Sequence, residues 1–459
     1  MSLNHPLVSP LLLTVAALGS VSCVPESERY NDSEQGGAAG VTAVAEGGAA
    51  GAENPTGSAG SGGDGRSFDV ISKQCDGDVS TYRLDAHPMP CADGSNLELE
   101  IDANGTDEYL FVLNVPDSWS SVVGGGGEFF INDVDETEEA SLIAAGYYSS
   151  EVDQRIPLTI VGTRALTAGE HTIRAFWKGA GEAGSLTLGG SGARLMAIPA
   201  RDEDLQSRAF DSNYGEDSPQ LLHSSEYQNL ALSYDAPIQM DSQTAGSYLL
   251  VFNTPVVWMD TGLAGFRIVV DRAEGDTEQL AYGAFTSATS NQRVPVTLVA
   301  MAELADGDSI RVEGAASDDE IVVATASLVA LRAPHTALSS VRDIDGGEAT
   351  TTSDTVARIP GIAPLEFTAN EGDSLVILNV PVAHSEPGTT AGFHIGINDS
   401  WDYHGYTTSG TSLAQYVPMT IFAARELDGG GDYRVEAGWN VDHGSATVPT
   451  EAGLYVLGN

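Results

Sequence analysis

The sequence predicts an all-β protein, built as three tandem β-sandwich, jelly-roll-like domains behind a disordered N-terminal tether. Two observations carry this. Beyond Ser67 the chain is written in short runs of Val, Ile, Leu, Phe and Tyr closed by Gly, Asp, Asn and Pro, with no long stretch of helical period. Three blocks of that text also recur at matching offsets.

Taken from the start, Leu7 to Val21 is an apolar stretch too short to span a bilayer, followed by small residues and a cysteine, and residues 1–22 read as an export signal. Ser20-Val21-Ser22-Cys23 resembles the lipobox of bacterial lipoproteins, which implies acylation of Cys23. The stretch before Leu7 has no Lys or Arg and the place of the usual Leu, three before the cysteine, is taken by Ser20, so simple secretion is the other reading. Residues 23–66 hold the lipobox cysteine and a run of Gly, Ala, Ser, Glu and Thr that cannot form a core and reads as the tether. Cys75 and Cys91 are the cysteines left over, and in an oxidising compartment they close a loop worth about 3 kcal/mol.

The repeats follow. Tyr109-Leu-Phe-Val-Leu-Asn114-Val-Pro116 returns as Tyr248-Leu-Leu-Val-Phe-Asn253-Thr-Pro255 and as Ser374-Leu-Val-Ile-Leu-Asn379-Val-Pro381. Ile156-Pro157-Leu-Thr159-Ile matches Val294-Pro295-Val-Thr297-Leu and Val417-Pro418-Met-Thr420-Ile, each followed by a Leu (Leu166, Leu304, Leu427) and a Gly (Gly169, Gly307, Gly430) at fixed spacing. An arginine strand (Arg174, Arg311, Arg434) and a closing apolar run complete each copy. The asparagines lie 139 and then 126 residues apart, too far for a solenoid layer, so each copy is expected to be a domain: 67–200, 201–335 and 336–459. Proline is expected to end the asparagine strand because it cannot donate to a ladder. The glycine of the second block marks a hairpin. The shared Asn and Arg are expected to do structural work, in turn hydrogen bonds and an ion pair on a β face.

Ala264-Gly265-Phe266-Arg-Ile-Val-Val-Asp271, with the later Val-Pro-Val-Thr-Leu, is similar to jelly-roll domains of the C1q and tumour-necrosis-factor type. That family usually forms trimers, so the resemblance allows three copies in one chain to pack as an intramolecular pseudo-trimer; the linkers between copies are equally compatible with modules that hang separately. An immunoglobulin-like sandwich fits less well, because Cys75 and Cys91 are too close and have no Trp between them.

With 65 acidic against 20 basic residues the formal charge is −45, which repels nucleic acid and anionic membranes and leaves a lipid anchor as the one membrane contact. No Gly-x-Ser-x-Gly elbow, His-Glu-x-x-His or Cys-x-x-Cys occurs, and no catalytic residue is assigned. Five places after each shared asparagine stand Trp119, Trp258 and His384, as aromatic plates for a sugar or partner or as caps on each core. Asp133, Asp271 and Asn398 with Asp399, six places after a strand glycine, together with the loop at 102–108, offer oxygen ligands to calcium or serve as turn residues; no other cofactor is implied. The third copy alone gathers His394, Asp399, Trp401 and His404. The expectation is therefore a non-enzymatic exported protein of a bacterial outer membrane or cell surface, otherwise secreted. Adhesion, envelope organisation or ligand display would be its role, with a glycan or protein partner; a carbohydrate-binding or calcium-dependent lectin is the alternative.

Overall fold

Side chains alternate along a strand, so a run that is apolar at every position must be covered on both faces. The asparagine strands are such runs. Leu110 and Val112 point one way while Tyr109, Phe111 and Leu113 point the other, and both sets are buried. The computed structural model describes residues 68–458 apart from 135–140, 181–183, 191, 202, 212–218, 233–236, 260, 290–291, 318–319, 334–335, 343–347, 410–414 and 449–450. The export signal, Cys23 and the tether lie outside the described residues, which contain no helix.

In the first module Ile71–Cys75, Ala193–Arg201, Asp107–Val115 and Leu158–Ala165 lie side by side in that order. The facing sheet places Glu98–Ala103, Gly169–Ala180, Gly126–Asp133 and Ser141–Tyr148 in order. Counted along the chain this is 1-8-3-6 against 2-7-4-5, the double Greek key of a jelly roll, with every pair antiparallel. The second and third modules repeat it, with inner sheets centred on Gly246–Met259 and Gly372–Val380. Each module has its own core between its sheets.

A fourth core lies among the modules. Leu110, Val112, Val161, Met196 and Ile198 of the first meet Leu249, Val251, Val299 and Val329 of the second and Leu375, Ile377, Phe422, Tyr455 and Leu457 of the third. Each such side chain contributes about 1.5–3 kcal/mol on leaving water. The inner sheets therefore turn their second faces to one another, and the continuous apolar strands are explained.

Beside this core the repeated polar residues form rings. Asn114 Nδ2 donates to Thr159 Oγ1 at 3.0 Å in its own module and to Thr420 O at 2.8 Å in the third, and its Oδ1 accepts from Phe422 N. Asn253 makes the same three bonds to Thr297 Oγ1, Thr159 O and Val161 N, and Asn379 makes them to Thr420 Oγ1, Thr297 O and Val299 N. The asparagines are not turn residues: they are buried, and each reaches into the neighbouring module. Pro157, Pro295, Pro418 and the three threonines surround a cavity of about 10 Å³, room for one water. Gln154, Gln292 and Gln415, each three places before its proline, close a cycle: Gln154 Nε2 donates to Gln415 Oε1 at 2.6 Å, Gln415 to Gln292 at 3.1 Å and Gln292 to Gln154 at 3.5 Å.

Proline ends the asparagine strand in the first and third modules, at Val115 and Val380. In the second the strand runs on through Pro255, and the missing donor is absorbed as a register shift between Asn253 and Val257. Gly307 and Gly430 take positive φ, +88° and +76°, in the hairpins where glycine was expected.

Candidate binding site

Neither Trp119 nor Trp258 is an open plate. Arg155 lies 4.4 Å over Trp119 and 5.2 Å over Tyr406 of the third module; Arg293 lies 4.8 Å over Trp258 and 4.6 Å over Tyr148 of the first. Each tryptophan is half-buried and capped by a guanidinium at a junction between modules. At the third junction the pair is His384 and Tyr416, ring centroids 4.9 Å apart. Sequence reasoning missed that the residue after the axial glutamine (Arg155, Arg293, Tyr416) always faces this aromatic, although the spacing was there to be read.

Two buried carboxyls sit near these junctions. Asp117 pairs with Arg155 at 2.5 Å, yet burial pushes its carboxyl up to about 6 against the pull of the arginine. Glu451 accepts from Gln279 of the second module at 3.0 Å, and burial pushes it up to about 7.

The acidic positions singled out for calcium do not converge. Asp133 is bonded to His171 Nδ1 at 2.7 Å. Asp271 is held by Arg311 at 2.6 Å, a bond that keeps its carboxyl below the usual range. Asn398 and Asp399 take positive φ in a hairpin, where Asn398 Oδ1 accepts from Arg434 N at 2.8 Å. They also occupy different registers, since Asp133 stands opposite Ile173 and Asp271 opposite Ser309, one place beyond the matching Ile310. In the 102–108 loop Asn104 bonds the backbone of Thr106 and Asp107 as a turn. Among the described residues no three acidic, His or Cys side chains group as metal ligands. Cys75 and Cys91 are joined as a disulfide, Cα atoms 4.8 Å apart.

The third module does assemble its aromatic residues. His394 and His404 pair across strands, ring centroids 6.0 Å apart, with Tyr406 5.6 Å from His404 and Trp401 edge-on to His394 at 6.3 Å. His394 shares a hydrogen with Asn440 Oδ1 at 2.9 Å, and burial lowers the affinity of both imidazoles for a proton. Asp399 stays at the exposed hairpin and is not part of this row. Trp401 lies across two glycines: a Cβ on Gly396 would come within 2.8 Å of its ring, and one on Gly438 within 2.6 Å. Only glycine admits the indole there.

No protein-family model matches the chain, and no curated protein matches it. Among solved structures, the Eiger TNF of S. frugiperda is 13% identical over 29% of this chain and 96% of its own, with a TM-score of 0.22. The tandem CBM22 domains of Paenibacillus barcinonensis Xyn10C are 8% identical over 59% of this chain and all of theirs, at 0.20. A triple jelly-roll protein of an archaeal virus is 10% identical over 85% and 91%, at 0.19. At such scores the jelly-roll assignment rests on the strand order itself.

Proposed function

We propose that this chain is a non-enzymatic, exported binding protein, a one-chain pseudo-trimeric head carried on a tether and presented at the cell surface for adhesion or ligand display. The observation that supports it most is where the repeated polar chemistry lies. The shared asparagines, threonines and glutamines are engaged with one another between modules, which is the use of polar groups in a rigid scaffold. The Trp401 row, which the other two modules lack, lies on an outer sheet. The bonded Cys75–Cys91 pair suits an oxidising compartment, as does the export signal read at residues 1–22.

The experiment is retention of cells under shear on a natural surface, with and without the full chain, with proteinase accessibility on intact cells as the location readout. Surface-exposed chain and raised retention are expected. Protection from proteinase, or equal retention, overturns the reading.

A further inference from the structure

Of the tryptophans, Trp177 and Trp439 are core residues and Trp119 and Trp258 carry an arginine on their rings. Trp401 differs from all four. It is half-buried on the outer sheet of the third module, and among the described residues no guanidinium or ammonium lies over it. The glycine bed is peculiar to this module. By strand register Gly396 and Gly438 take the places of Phe130 and Lys178 in the first module, where the ammonium lies 5.5 Å over the phenyl ring, and of Arg267 and Ala315 in the second. Arg267 is itself stacked 3.9 Å over Tyr227 and paired with Glu313. The same surface is thus filled by its own side chains twice and laid open to an indole once.

Resting on the reading of the chain as a binding protein, we propose that the outer sheet of the third module binds a neutral pyranose sugar, stacked on Trp401 and hydrogen-bonded by the half-buried His404 and Asn440, with the buried His394 holding Asn440 in place. The argument is one of matching chemistry. A pyranose has an apolar C–H face that fits an indole plate and an equatorial rim of hydroxyls that fits imidazole and amide groups. A charge of −45 disfavours uronic acids and sulfated glycans, which leaves the neutral sugars.

The test is affinity electrophoresis of the full chain through gels containing mannan, xylan, mixed-linkage β-glucan or galactan, with alginate as the anionic arm. At least one neutral polysaccharide is expected to retard the protein. Trp401→Ala is expected to weaken that retardation by about tenfold or more and Trp401→Phe to keep most of it, with both variants melting like the parent. Retardation by none of the neutral polymers, strongest retardation by alginate, or retardation that survives in Trp401→Ala overturns the proposal. In that last case the chain still binds, and the binding-protein reading stands. Conversely, Trp401-dependent retardation in a chain that gives cells no added retention upholds the site and removes the surface role.

Discussion

Replacing Asn253 by alanine isolates what one axial asparagine contributes. In the protein its carboxamide donates to Thr159 O and Thr297 Oγ1, both at 2.9 Å, and accepts from Val161 N at 3.3 Å. Truncation strands two buried backbone groups of the first module, at about 1–3 kcal/mol each, and leaves a small cavity. The sum is about 3–5 kcal/mol. With an unfolding entropy of about 2.1 cal/mol/K per residue over residues 68–458, roughly 0.8 kcal/mol/K, this lowers the melting temperature by about 5 °C. Urea unfolding followed by tryptophan fluorescence reads the same loss as a lower midpoint at unchanged slope. A loss below about 1 kcal/mol would refute the claim that these bonds hold the modules together.

Three further outcomes follow from particular contacts. Glu451→Gln tests a carboxyl raised to about 7 by burial: the folded state holds its proton more tightly than the unfolded chain does, so this group's cost appears as pH rises from its ordinary value of 4.5 toward 7. The variant should therefore exceed the parent in stability by on the order of 2–3 kcal/mol at pH 8 and match it near pH 4, and a pH-independent gap would count against the assignment. Gly405→Val places a Cβ 2.9 Å from Pro116 of the first module and 2.8 Å from Met419; a melting temperature unchanged from the parent would show that this junction tolerates separation. Calcium, with Asp133 and Asp271 already bonded to His171 and Arg311, should raise the melting temperature no more than sodium chloride of equal ionic strength, and a specific rise of several degrees would make the acidic loops sites.

The all-β class and the repeats were legible because each block is a strand with its own punctuation. What they do was not. The partner of Asn114 is Thr420, more than 300 residues away, and nothing local distinguishes an asparagine that turns a chain from one that bonds across a module boundary. The sequence leaves Trp119 and Trp258 open between plate and core cap, because the arginines that cover them lie in a different strand connection. Gln154, Gln292 and Gln415 stand at equal spacing before their prolines, but one polar residue in a loop carries no signal until two others meet it. Pro255 continues a strand that Pro116 and Pro381 end, because a bulge lets the ladder skip the missing donor. In the third module the row of His394, Trp401 and His404 was visible in the sequence. The glycines beneath Trp401 were not, because Gly438 comes from a strand far along the chain.

The shared core and the cyclic asparagine and glutamine bonds make the three modules one unfolding unit, and calorimetry of the full chain tests that most directly. The expected result is a single endotherm whose calorimetric and van't Hoff enthalpies agree. Two or three resolved transitions, or a calorimetric enthalpy about three times the van't Hoff value, would mean that the modules unfold separately and that the axis does not bind them.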